Sequence, residues 1–137
     1  MADLVVTANN VVPGTSSVRE TLIAKEVVTA GQGVARDPSD GKIGLWDANS
    51  ANAWRKTPYG IAMNTAQVNQ PVTVHTKGKY NPGAAVTVGL GYWMSATPGG
   101  IAVQADVVTG MNSVFIGIAT TTAEITVSFV DSLTPVP

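Results

Sequence analysis

Residues 28–45, VTAGQGVARDPSDGKIGL, return without a gap as residues 86–103, VTVGLGYWMSATPGGIAV. Val28 answers to Val86, Gly31 to Gly89, Gly33 to Gly91, Gly41 to Gly99 and Ile43 to Ile101, all 58 residues apart. Downstream, YGIAMNTA from Tyr59 recurs as IGIATTTA from Ile116, and VTVHT from Val72 is answered by ITVSF from Ile125. Self-similarity at one spacing marks a repeated supersecondary unit. Two copies are too few for a solenoid, so the chain reads as an internally duplicated β domain with pseudo-two-fold character.

The local signals agree with strands. Residues 72–76 alternate, with Val72 and Val74 on one face and Thr73 and His75 on the other. Asp37-Pro38-Ser39-Asp40-Gly41 is a turn with a mechanism: proline presets φ and the closing glycine tolerates positive φ. Residues 95–100, SATPGG, take the same place in the second copy. Further strands are expected over residues 17–24, 59–64, 113–119 and 124–130, with a bend at Lys25-Glu26 and a turn at Asn81-Pro82-Gly83. Residues 47–54, DANSANAW, suit a short helix capped by Asn49 or Ser50, and Asp106 could cap its counterpart. Short strands with frequent Gly/Pro punctuation give an all-β fold, a compact sandwich or barrel built from a duplicated hairpin-plus-strands unit. Its single β domain spans residues 18–132, with repeat one about 27–76 and repeat two about 85–130. An extended N-terminal arm (1–17) precedes it and a proline-containing tail (133–137), not expected to continue a ladder beyond its prolines, follows.

A chain of 137 residues is one domain, long enough for its own core. It has no cysteine, which excludes disulfides and thiolate metal sites. No signal-peptide pattern opens it and no apolar run is long enough to span a bilayer, so the expectation is a chain that is soluble, or exported by some route other than a visible signal, with no membrane partner. Only 12% of residues are charged, against about 25% in ordinary domains. The net charge is −1. Such a surface offers little repulsion and favours association. Without a basic cluster it also argues against nucleic acid, whose binding needs Lys and Arg.

Catalytic signatures are missing. The one histidine, His75, has no sequence-adjacent carboxylate to orient it and reads as structural. Asp37 and Asp40 lack the alternating ligands and distal Glu of a calcium loop. GQG and GLG lack the third glycine and βαβ frame of a dinucleotide site. No nucleophile elbow or phosphate loop occurs, so neither an enzyme nor a cofactor is expected. What remains is contact chemistry. Leu4, Val5, Val6, Val11 and Val12 are too apolar for a frayed tail and suit an arm lying on a body, its own or a neighbour's. Lys77 and Lys79 flank Gly78 beside Tyr80 and could dock on an acidic partner. Tyr92 and Trp93 are adjacent on a strand and must face opposite ways, so one of them is a contact candidate.

These features lead to a resemblance. ADLVVTANNVVPG, TAGQGV followed by DGKIGLWDAN, YGIAMNTA, QPVTVHTKGKYNPGAAVTVGLGYWMSATPGGIA and FIGIATTT together resemble the head decoration, or capsid cement, proteins of tailed bacteriophages. The likeness spans almost the whole chain and consists of turn and strand patterns. It implies a β domain on the outer face of an icosahedral shell, made in the bacterial host cytoplasm. It further implies a homotrimer at local three-fold positions that clamps neighbouring major capsid protein subunits through an N-terminal arm. The competing expectations are a phage tail or fibre β module, and a carbohydrate-binding sandwich whose mark would be exposed coplanar aromatics.

Overall fold

The computed structural model describes residues 3–14, 17–103 and 112–135. Among them ten strands form one curled antiparallel sheet, a half-barrel. The strands are β1 (Val11–Pro13), β2 (Val18–Ile23), β3 (Gly33–Arg36), β4 (Ile43–Leu45), β5 (Gly60–Ala62) and β6 (Pro71–Pro82), then β7 (Gly91–Met94), β8 (Ile101–Val103), β9 (Asn112–Ala119) and β10 (Ile125–Pro135). The main path runs β4-β3-β5-β6-β10-β9-β7-β8, with β1 and β2 both paired to β6 off that path.

Three local expectations change. The helical turn after β4 is a 3-10 turn at Ala53–Lys56 entered from Asn52, with no side-chain cap. Asn49 and Ser50 instead belong to short turns in which Asp47 Oδ1 accepts from the Asn49 N–H and Ser50 Oγ from the Asn52 N–H. The turn at residues 81–83 narrows to Gly83, whose φ of 73° follows a β6 that continues through Pro82. The last strand, expected over residues 124–130, runs on into the tail, for β10 reaches Pro135, which pairs with Asn112. β6 pairs with β10 only as far as Val127, so among the described residues Pro135 ends the strand with β9 alone beside it. Asp106 and residues 105–110 lie outside the described residues.

The duplication is visible bond by bond. Gly31 and Gly89 have φ of 92° and 82°, Gly41 and Gly99 of 72° and 73°. The Gly31 N–H donates to Ala62 O, and that of Gly89 to Ala119 O. Asp37 Oδ1 accepts from the Ser39 N–H, and Ser95 Oγ from the Thr97 N–H. Register repeats as well: Gly33 opposes Ile61 and Val34 opposes Gly60, as Gly91 opposes Ile118 and Tyr92 opposes Gly117. In the last strand the two copies align differently from the sequence echo. Ala62 pairs with Val74 while Ala119 pairs with Ile125, so Val74, not Val72, is the partner of Ile125. A shift of two keeps each side chain on its face, which is why the sequence alone cannot distinguish the registers.

The repeats do not close on a two-fold axis, because β6 serves both. Its first half lies between β5 and β2, with Glu20 opposite Val74 and Arg19 opposite His75. Its second half stands beside β10 as β2 stands beside β6, with Tyr80 opposite Ile125 and Lys79 opposite Thr126. Residues 78–82 are thus the second copy of β2, a match that VRETLI and GKYNP do not betray. The sheet passes from one role to the other at a register shift, where Val18 pairs with Lys77 and Arg19 with His75, and at Gly78, with φ of 94°.

This hand-over turns equivalent faces to opposite sides of the sheet. Val28, Val34, Ile43, Ala62 and Val74 line the smaller core. Their counterparts Val86, Tyr92, Ile101, Ala119 and Ile125 line the larger one, joined there by Ala35, Ile61 and Trp46 from repeat one. Trp46 lies across Gly33, where any Cβ would collide with the indole. Its Nε1 donates to Gly100 O at 2.7 Å, and its ring meets Phe129 edge-on at 6.0 Å.

The N-terminal arm is part of this body. The Leu4 N–H donates to Ile101 O as the Lys25 N–H does to Ile43 O, so the arm closes repeat two where residues 24–28 close repeat one. Thr7 donates to Gly83 O, Gly14 to Lys79 O, and β1 pairs with residues 80–82.

Candidate functional site

The polar groups inside the protein are few and locally occupied. His75 is fully buried, with Nε2 2.9 Å from Gly78 O and Nδ1 without a partner. Its ring lies 5.3 Å from that of Tyr80, whose hydroxyl is likewise unpartnered. Burial holds the imidazole below its ordinary pKa, reinforced by Arg19 across the strand and opposed by the bond to Gly78. Burial alone raises the Tyr80 phenol far above its usual value. Both groups are therefore neutral near pH 7. The two rings stand together inside the sheet, each burying a polar atom without a described partner. Among the described residues no group of three or more His, Cys, Asp or Glu could hold a metal ion.

The most ordered charges lie at the first-repeat turn. The Lys25 ammonium pairs with Asp37 and, at 3.4 Å, with Asp40. That bond, with the Ser39 N–H and hydroxyl, draws the Asp37 carboxyl down to about 2. The Trp54 ring has the Arg55 guanidinium 4.3 Å and the Lys25 ammonium 5.2 Å from its centre. Arg55 also binds Glu26 at 2.7 Å and Leu45 O at 2.8 Å. Each charge is answered within the molecule, so this cluster fastens residues 25–55 together rather than presenting a binding site.

The sequence-selected contact residues divide. Leu4 and Val6 are half-buried against the larger core and Val11 is buried in it, whereas Val5 is 79% and Val12 52% exposed. Lys77 is exposed and Lys79 half-buried. Tyr92 is buried, its hydroxyl accepting from the Thr87 N–H, so Trp93 is the member of that pair that turns outward. Trp93 meets Phe115 edge-on at 5.2 Å, and its Nε1 has no partner.

Around Trp93 the two repeats differ most. Ile61 of repeat one is fully buried, but its counterpart Ile118 is 45% exposed; Ala35 is fully buried, but its counterpart Trp93 is half-exposed. Repeat one has this face covered by the larger core, while repeat two presents it outward with Phe115 half-buried beside it. Phe115 and Ile118 escaped the sequence reading because an apolar residue in a strand looks the same whether its face is covered or not. The alignment of Ile118 with Ile61 is the signal that marks them. No protein-family model, no curated protein and no solved structure matches this chain.

Proposed function

We propose that this chain is a structural virion protein that binds the outer surface of a phage capsid and stabilises the shell by clamping neighbouring major capsid subunits. The observation that carries this reading is the face of Trp93, Phe115 and Ile118, kept apolar at the surface where the equivalent face of repeat one is interior. A half-buried Trp-Phe pair is the type of group that anchors a protein contact. The chain as a whole carries little charge to oppose association. On the arm, Val5 and Val12 are further apolar side chains turned to the surface, beside exposed Thr7, Asn9 and Asn10. Binding spread over many copies on a lattice requires no chemically special residue, since avidity multiplies modest contacts. The likeness to head decoration proteins points the same way and adds trimers at local three-fold positions.

Quantitative mass spectrometry of purified particles of the source virus tests the proposal. A copy number near that of the major shell protein supports it. A few copies per particle would move the chain to the tail or portal, and absence from particles would overturn the virion reading.

A further inference from the structure

The repeat has an unfilled place. In repeat two, the outer side of residues 79–82 is covered by β1: Val11 opposes Pro82, Val12 opposes Asn81, Pro13 opposes Tyr80, and the Gly14 N–H donates to Lys79 O. The repeat-one counterpart of that segment is β2, with Arg19 standing for Lys79 and Glu20 for Tyr80. β4 meets this side only just past the strand, where Ala24 bridges to Ile43 and the Lys25 N–H donates to Ile43 O; from Val18 to Leu22 no described strand pairs with the outer side of β2, whose strand partner is β6.

Its backbone is set out for pairing. The Thr73 carbonyl accepts from the Met63 N–H at 2.8 Å and the Thr73 N–H donates to Asn64 Oδ1 at 2.7 Å, so both groups point toward β5. Thr21, directly opposite Thr73, therefore turns its own N–H and C=O away from β6, and Arg19 and Ile23 follow by alternation. Five of the six side chains of β2 are exposed, with Leu22 half-buried. The strand carries no proline; its charges, Arg19 and Glu20, and its register shift at Val18/Arg19 lie at its first half, leaving Thr21 to Ile23 as uncharged edge.

From this we infer that the outer edge of β2 receives an extended segment of the capsid subunit, running antiparallel to β2 as β1 runs antiparallel to β6. The inference rests on the capsid-binding reading above. What fits is a stretch like the one at the equivalent place, β-branched and without cations, because Arg19 lies on this edge and an acid opposite it is favoured. The arm of a second copy is a poor occupant. Leaving its own body would expose Val11 and break the bonds of Leu4, Thr7 and Gly14. Recognition through the backbone supplies affinity without a motif, as in other strand-addition complexes.

The test uses the full chain and shells of the source virus stripped of this protein. Thr21→Pro removes one outward N–H and leaves the β2–β6 ladder intact. It should keep the melting temperature within a few degrees and weaken shell binding by about tenfold or more. Ile23→Lys, which places a cation at the same edge, should do likewise. In the unmodified protein, hydrogen exchange at Arg19, Thr21 and Ile23 should be fast when free and protected on shells. If the unmodified protein and both variants bind alike, or these amides stay unprotected, the edge inference is overturned while the capsid reading stands. If the unmodified protein binds no shell, both fall together. A dimer in sedimentation that Thr21→Pro abolishes would assign the edge to a second copy instead and overturn the inference.

Discussion

Gly60 and Gly117 hold the same place in the two repeats, each beneath the next strand's backbone. A Cβ on Gly60 would press on the His75 carbonyl and the Val74 side chain; one on Gly117 would press on the Thr126 carbonyl and the Ile125 side chain. Neither glycine has a positive φ, so close approach and not turn geometry requires it. Backbone cannot move aside as a side-chain tip can. Gly60→Ala and Gly117→Ala should each cost at least about 2 kcal/mol, read by urea denaturation. Gly89→Ala, with open space around it, should cost only the strain of its φ of 82°.

The arm supports the fold as well as any partner. Val11→Ala removes two buried methyl groups and should cost about 1.5–2 kcal/mol. Val5→Ser, at a side chain 79% exposed, should change stability by less than about 0.5 kcal/mol. Thermal melts of both separate the two roles. Deleting the residues before Pro13 would confound them, because the Leu4–Ile101 and Thr7–Gly83 bonds go with the deletion.

His75 should make the protein sensitive to mild acid. Its folded pKa lies below the unfolded value of 6.5, because burial and Arg19 disfavour the cation. The unfolded chain therefore binds the proton first. The stability due to neutral His75 is fully present above pH 6.5 and lost as pH falls below it. Arg19 from β2 and apolar Ile61 from β5 do nothing to stabilise an imidazolium, Tyr80 stands beside the ring from its own strand, and the Gly78 carbonyl, which does favour the cation, is outweighed by burial. Urea denaturation between pH 7 and 5 should show a decline that His75→Gln removes, although that variant is less stable at both ends.

A second acid step belongs to Asp37. Its carboxyl titrates at about 2 in the fold against 3.8 unfolded, chiefly through the Lys25 bond and then through Ser39. Its stabilisation is present above pH 3.8 and fades as pH falls toward 2. Asp37→Ser installs the residue that repeat two uses at Ser95, which makes the same turn bond without charge. This variant should lose the step below pH 4 and keep the one from His75, as followed by fluorescence-detected unfolding across pH.

Much of the fold is written in the chain. The turn residues at Gly41 and Gly99 act locally, so their identity reveals the conformation, and the spacing of 58 residues between them reveals the repeat. That Tyr92 and Trp93 face opposite ways follows from strand alternation, while which of them is buried does not. The candidate surface is harder to read. Ile61 and Ile118 are the same residue in the same motif, yet one is interior and one exposed, because burial depends on what lies above the strand. Leu4 and Val5 are neighbours in an apolar run, and only the bond to Ile101 shows which way the arm faces.

By itself, then, the sequence determined the β character, the turns closed by Gly41 and Gly99 and the duplication, since these follow from backbone preferences and period-two patterning within a few residues. The tertiary structure decided that β6 is shared between repeats, that equivalent faces line different cores, that Val74 rather than Val72 answers Ile125, and that β2 keeps an open edge. These are pairings between distant segments. A two-residue shift or a strand passed from one repeat to the next leaves the local pattern unchanged, and only the contacts across the sheet fix the choice.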